Sequence, residues 1–118
     1  MKMIEDSRVY SYLCGYMPEF GTRSLANEQQ PTKVFGEAAK YTDELLLRED
    51  TNGLKRFFHA IARLYGESSN IARMAIENVF LYHLGTSIES SQDRHAILKL
   101  VPERLRTIIL KQCNAQGI

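Results

Sequence analysis

The stretch from Ser68 to Gly85 constrains the fold more than any other part of the chain, because its apolar residues lie nearly all round a helical wheel. A helix that is apolar on most of its circumference is buried and contacts neighbours on several sides. Ser68 or Ser69 is placed to cap its first turn, and Gly85 is placed to end it. The sequence therefore predicts a buried central helix over 68–85, with other helices packed around it.

Helical periodicity covers most of the remaining chain, and no segment alternates convincingly as a strand does. Apolar spacing predicts three helices before the central one: about Ile4 to Met17, about Thr32 to Arg48, and a third that includes residues 54–65. It predicts two helices after the central one: a short helix that includes residues 96–100, and a last helix with Pro102 in its first turn. The connectors 49–53 and 66–69 are short, so the second, third and fourth helices are expected to be antiparallel neighbours. The predicted fold class is all-α, a single domain over 1–118 built as an antiparallel bundle or array of five to six helices with α-solenoid-like pairing.

Length and composition are those of an ordinary soluble domain: 118 residues, 44% hydrophobic and 25% charged. A net charge of +1 provides no overall field that would attract nucleic acid or an anionic membrane. No apolar run is long enough to span a bilayer, and Glu5, Asp6 and Arg8 interrupt any secretory signal. We therefore expect a cytoplasmic protein, in which Cys14 and Cys113 are reduced thiols rather than a disulfide.

The residues that carry enzyme and cofactor chemistry form no recognisable motif. The three histidines, His59, His83 and His95, are not at a metal-ligand spacing such as i, i+4. Phosphate-binding and dinucleotide-binding glycine motifs and a nucleophile elbow are all absent from the sequence. We therefore predict no metal, no cofactor and no enzymatic activity. The alternative is an enzyme whose site assembles only in the fold, with one of these histidines beside a carboxylate in a deep pocket.

A mild basic bias near the C-terminus raises a second alternative, a weak nucleic-acid-binding regulator. The basic residues concerned are Arg94, Lys99, Arg104, Arg106 and Lys111. Three phosphate contacts from the last helix would give only weak, salt-sensitive binding, and a solvated helix face explains the same pattern. Nucleic acid is therefore the disfavoured partner.

The second predicted helix carries the first candidate contact residues. Leu47 falls on its polar side, three residues beyond Glu44. Asp43 and Glu44 place negative charge near the helix C-terminus, where the helix dipole disfavours acids. A solvated surface accounts for this acidic group, but the pattern is also a small indication of contact with a basic partner.

Further candidates lie on the first and fourth predicted helices. Arg73 and Glu77 are four residues apart on a narrow polar stripe and should face each other. Phe80 continues that stripe, so either a later helix or a partner must cover it, and we expect the helix. Tyr10 lies at the edge of the buried face of the first helix, where interface aromatic residues are common. The irregular segment 19–31 is interpreted as a connector, with a binding loop as the alternative.

Three sequence motifs carry a family resemblance. MPEF near the end of the first helix, IARMAIENVFLYHLG and LVPERLRTIIL together resemble an uncharacterised bacterial family of small all-helical domains. In that family a Phe-Pro-Glu-Leu-like motif closes the first helix, a Phe-Leu-Glu-x-Leu-like motif lies in the middle, and a Gly-Pro-x-Leu-like step precedes the last helix. The corresponding positions here are 18–20, 80–84 and 101–105. Tyr82 stands where the family tends to place an acid, so the role of that acid is not carried over.

The resemblance adds a functional expectation, because members of that family resemble immunity proteins of bacterial toxin systems in size and composition. We expect a non-enzymatic protein-binding domain, immunity-like or an adaptor, in a bacterial cytosol. Its partner is expected to be a protein, and a homodimer is left open. The candidate partner-binding residues are Tyr10, Asp43, Glu44, Leu47, Arg73, Glu77 and Phe80.

Overall fold

The computed structural model describes residues 4–22 and 30–115, and within them it contains six helices and no strand. The helices are α1 (Val9–Tyr16), α2 (Pro31–Leu47), α3 (Thr51–Glu67), α4 (the consecutive segments Asn70–Ala75, Ile76–Leu81 and Tyr82–Glu89), α5 (Arg94–Leu100) and α6 (Glu103–Ala115). Short 3₁₀ turns, Asp6–Arg8 and Pro18–Thr22, flank α1. The predicted all-α fold class is confirmed.

Aromatic rings from four chain segments form the centre of the core. Phe57 of α3 lies between Phe20 of the second 3₁₀ turn, Tyr41 of α2 and Phe80 of α4, with ring centroids 5.4, 5.0 and 6.2 Å away. All four side chains are buried. Tilted and edge-to-face aromatic pairs contribute about 0.5–1.5 kcal/mol each beyond the area they bury, so this cluster joins α2, α3 and α4.

The central helix is longer and less enclosed than its sequence predicts. α4 continues past Gly85 to Glu89, so the predicted helix end at Gly85 is wrong. Gly85 lies inside the helix and faces α6, where a Cβ would make an ordinary contact 3.5 Å from Cγ2 of Ile109. One face of α4 is also open to solvent, where the exposed fractions are 63% for Ile71 and 59% for Met74. The apolar circumference therefore does not require neighbours on every side.

The middle of α4 is π-helical over Ile76–Leu81. A π-helical turn holds more residues than an α-helical one and bonds each N–H five residues back, which changes the direction in which later side chains project. The side-chain amide of Gln112 in α6 donates a 2.8 Å hydrogen bond to the main-chain carbonyl of Glu77 in this segment. This bond ties α6 to the irregular part of the central helix.

Side-chain caps are present at the first turns of α4 and α3. Ser69 caps α4 by accepting a hydrogen bond from the Ala72 N–H, as one of the two predicted caps. The cap of α3 is Asp50, whose carboxylate accepts from the Gly53 N–H at 2.9 Å. Two predictions fall outside the described residues: the interpretation of 19–31, for its part 23–29, and the state of Cys113, whose side chain is not described.

A buried phenol attaches the second 3₁₀ turn to α2. The Tyr41 hydroxyl donates to Glu19 Oε2 at 3.2 Å, and Arg48 Nη1 lies 2.8 Å from Glu19 Oε1. Burial of the ring, followed by the negative charge of Glu19, raises the pKa of the Tyr41 phenol from about 10 to about 12.

The raised pKa of Tyr41 predicts a fall in stability at alkaline pH. Between a pH of about 10 and about 12 the folded state holds this proton and the unfolded state releases it. The stabilisation is therefore complete below pH 10 and is lost as the pH rises towards 12. Urea unfolding followed by circular dichroism across this range should show the fall, and it should be shallower for Tyr41→Phe. An equally steep fall in Tyr41→Phe would contradict the assignment to this residue.

The end of α2 requires a left-handed backbone at a residue other than glycine. Glu49 has φ 53°, its N–H donates to the Leu46 carbonyl at 3.1 Å, and the Asp50 N–H donates to the Leu45 carbonyl at 3.0 Å. This pair of bonds is the Schellman motif, in which glycine is the usual residue at the left-handed position. A side chain with a Cβ is disfavoured there by about 1–2 kcal/mol.

Replacing Glu49 by glycine should therefore stabilise the fold. We expect Glu49→Gly to raise the free energy of unfolding by about 0.5–1 kcal/mol, the relief of strain being partly offset by the greater freedom of glycine in the unfolded chain. Chemical denaturation measures the change. Glu49→Ala is the control, since alanine removes the same charge but keeps the Cβ; an equal gain in that variant would assign the effect to charge.

Candidate functional site

A groove of about 570 Å³ lies between the C-terminal part of α2, the start of α3, the end of α4 and helix α5. We call it the acidic groove, and it is lined by Asp43, Leu46, Leu47, Glu49, Thr51, Leu54, Ser87, Ser90, Ser91, Asp93, Ala96, Ile97 and Leu100. Two of its leucine and isoleucine residues, Leu54 and Ile97, also belong to the core. The volume and the mixed lining are typical of protein sites that take a peptide side chain or a small ligand.

The charge of the groove has one sign. Asp43, Glu49 and Asp93 contribute three carboxylates, and none of the lining residues is a lysine, an arginine or a histidine. A cleft with one sign of charge and low-dielectric walls concentrates its field and attracts the opposite charge. The groove is therefore suited to a cationic group attached to an apolar one.

Asp43 is held in place by two residues of α4. Its Oδ2 lies 2.6 Å from Nε2 of His83, and its Oδ1 accepts a 3.0 Å hydrogen bond from the Ser87 hydroxyl. Both side chains come from the helix opposite α2, so the contacts fix one wall of the groove to the other. Asp43 is thus a positioned carboxylate rather than a freely rotating surface acid.

The same three residues bear on the alternative of an enzyme assembled in the fold. That alternative requires a histidine beside a carboxylate, and His83 meets this part of the requirement. In a nucleophilic triad the imidazole lies between the hydroxyl and the carboxylate. Here the carboxylate lies between them, because Ser87 donates to Asp43. Ser87 therefore makes the hydrogen bond of a structural residue and has no imidazole base in this arrangement.

Leu47 is the most exposed large apolar residue described, with 86% of its surface open to solvent. It lines the groove together with Asp43, the other candidate residue near the end of α2. Burial of a leucine side chain by a partner would contribute about 1.5–3 kcal/mol. Glu44, the third candidate on this helix, is exposed but does not line the groove.

Phe80 is covered within the protein, so its choice as a candidate partner-binding residue is wrong, and the rings that pack on it belong to α2 and α3 rather than to a later helix. Its side chain is fully buried, and its ring packs against Phe35 and Phe57 at 6.5 and 6.2 Å between centroids. The sequence argument extended the polar stripe from Glu77 with α-helical spacing. Phe80 also lies four residues after the buried Ile76, and residues four apart share a face of a helix, so it lies on the core side.

The other candidates lie away from the acidic groove. Tyr10 is half-buried, with its ring 5.7 Å from that of Phe20. Arg73 and Glu77 contact Tyr65 rather than each other. The Arg73 guanidinium lies 4.7 Å from the ring centroid, and the Tyr65 hydroxyl donates to Glu77 Oε2 at 2.5 Å.

The basic C-terminal residues are partly engaged in contacts within the fold. Arg94 Nη1 lies 3.7 Å from Glu89, the Arg104 guanidinium lies 5.2 Å from the Tyr65 ring centroid, and Arg106 donates to the Val101 carbonyl. Three of the five cations named from the sequence thus have partners in the protein.

Most of the groove could not be found from the sequence. Ser87 is 44 residues from Asp43, and only the pairing of α2 with α4 brings them together. Glu49 is visible in the sequence only as an acid next to Asp50, directly after the second predicted helix. Asp93 carries no such signal, because it is an ordinary residue before a helix until α5 is placed beside α2.

None of the helices in 4–22 and 30–115 is long and apolar enough to cross a bilayer. Over the same residues, no group of three or more histidine, cysteine, aspartate or glutamate side chains is arranged to hold a metal ion.

Comparisons with known proteins place the chain in a family but assign no activity. A search of curated proteins found no match, and a search of solved structures found none. Residues 10–115 match the family described as a domain of unknown function (DUF7674). This match covers helices α1 to α6, and the chain therefore belongs to the DUF7674 family.

Proposed function

We propose that this protein is a non-enzymatic binding domain whose acidic groove takes a segment of a protein partner that presents a basic residue beside an apolar side chain. The observation that carries the proposal is the combination of an apolar floor, three carboxylates without a lining cation, and an exposed leucine. The basic side chain meets the carboxylates, and the apolar one covers Leu47.

The apolar part of the groove supports a protein partner. Leu54 and Ile97 are almost fully buried at its floor, whereas Leu47 stands on its edge with 86% of its surface exposed. Interfaces depend on a few apolar anchors at their centre, surrounded by polar residues that exclude water. The hydroxyls of Thr51, Ser87, Ser90 and Ser91 supply such a polar border.

The charge of the groove supports a basic partner. Carboxylates at an interface rim increase the association rate with a positive surface and disfavour a negative one. Asp43 is pre-oriented by His83 and Ser87, so its ordering requires no further entropy loss on binding.

The proposal extends to the biological role of the protein. We infer an immunity-like or adaptor role in a bacterial cytoplasm, supported by the small all-α fold and by the family resemblance of the three sequence motifs. This role requires one protein partner for each groove. In a homodimer, a second copy of the chain would have to place a basic residue beside an apolar side chain in the same groove.

The proposal predicts the peptides that the groove selects. We expect a random peptide library displayed on phage to yield sequences with lysine or arginine next to a large apolar residue. Binding of a selected peptide, measured by fluorescence anisotropy, should weaken about tenfold or more in Leu47→Asn, because the buried leucine surface is lost. Higher salt should weaken it as well.

Leu110→Asn is the matched control, since Leu110 is also an exposed leucine on a helix and does not line the groove. It should leave the affinity unchanged. Enrichment of acidic peptides, no enrichment at all, or equal losses in the two leucine variants would each contradict the proposal.

A further inference from the structure

A second surface hollow lies at the C-terminal end of α3 and shares no lining residue with the acidic groove. Its volume is about 410 Å³, and it is lined by Ala62, Arg63, Gly66, Glu67 and Arg104. Two guanidinium groups and one carboxylate thus surround a floor of small residues. The excess of positive charge distinguishes this hollow from the groove.

Arg104 stacks on the Tyr65 ring at this hollow, and the missing side chain of Gly66 leaves room for its guanidinium. Its guanidinium lies 5.2 Å from the centroid of the Tyr65 ring, a distance typical of a cation–π contact. Its Nη1 also lies 2.9 Å from the place that a Cβ on residue 66 would occupy. Only glycine at position 66 lets the guanidinium approach the α3 backbone in this way.

Among the residues that the structure describes, no acid uses the donors of Arg104. Arg63 pairs with Glu67 at 3.3 Å and donates to the Tyr16 hydroxyl at 2.9 Å. Across 4–22 and 30–115, neither Arg104 nor Arg73, which shares the Tyr65 ring, has a carboxylate within ion-pair distance. Arg104 therefore offers a fixed, charged fork of N–H groups towards the hollow.

The local charge balance favours an anion of one charge. Arg63 and Arg104 contribute two positive charges to the lining of the hollow, and Glu67 contributes one negative charge, which leaves one positive charge. A carboxylate matches both this balance and the planar fork of a guanidinium. A phosphate monoester, with a charge of about −1.5 to −2, would exceed the balance beside Glu67.

We propose that this hollow binds a carboxylate group, with Arg104 as its main hydrogen-bond donor and Gly66 as the residue that permits its position. The carboxylate belongs either to a small organic acid or to an acidic side chain of a peptide, which share this chemistry. The site is independent of the acidic groove, so failure of one proposal leaves the other in place.

The test is a nuclear magnetic resonance titration of the isotope-labelled full chain, observing the Nε–Hε signals of its arginines at constant ionic strength. Acetate, a short glutamate-containing peptide and inorganic phosphate are the probes. The carboxylate probes should produce a saturable shift of the Arg104 signal with an affinity about tenfold above that at the exposed Arg94. Equal affinities of acetate and peptide indicate a small-acid site, and tighter binding of the peptide indicates an acidic protein segment; either supports the proposal.

Two variants separate the site from the stability of the fold. Arg104→Gln should abolish the saturable binding. Gly66→Ala keeps every donor but displaces the guanidinium, so binding should weaken several-fold while the melting temperature stays equal or rises, since alanine is the better helix former. Unsaturable binding, tighter binding of phosphate, equal affinity at Arg94, or a Gly66→Ala variant that binds like wild type would each overturn the proposal.

Discussion

The contacts of the Phe57 ring are the interaction on which the rest of the structure depends, because four chain segments meet there. Phe20, Tyr41 and Phe80 belong to the turn after α1, to α2 and to α4, and each approaches Phe57 within 6.2 Å between ring centroids. Truncation of a buried phenylalanine costs about 3–5 kcal/mol, which is a large share of the 5–15 kcal/mol that stabilises a typical domain. Once these rings are packed, the directions of α2, α3 and α4 relative to one another are restricted, and the acidic groove lies where their ends meet.

Much of the fold could be predicted because its determinants are local. The apolar spacing of α3 and the serine before α4 are signals that a chain carries within one or two turns. Gly85 shows the limit of such signals, because a glycine near the end of an apolar run is typical of a helix stop. In the structure Gly85 lies inside α4 and faces Ile109 of α6, a residue 24 positions later in the chain. The π-helical turn over Ile76–Leu81 is a second case, since we recognised no sequence signal for it.

The acidic groove likewise contains residues that the sequence indicates and contacts that only the fold creates. Leu47 could be identified from the sequence because an apolar residue on the polar side of a helix is visible in the helical wheel alone. Asp43 could be noticed for its charge, but its hydrogen bonds to His83 and Ser87 depend on residues at least 40 positions away. Functional sites at the junction of several helices are generally of this kind, because each element contributes one or two side chains that are unremarkable on their own.

The net charge of +1 conceals a separation of charge over the surface. The acidic groove holds three carboxylates and no lining cation, whereas two guanidiniums and one carboxylate line the hollow at the C-terminal end of α3. An overall field is absent, but local potentials act within about 10 Å at moderate salt, which is the scale of a side-chain contact. The near-neutral composition therefore argues against long-range attraction to nucleic acid or membranes and leaves short-range selection by charge intact. This distinction is the physical reason why a chain without a strong compositional signal can still carry two surfaces with opposite preferences.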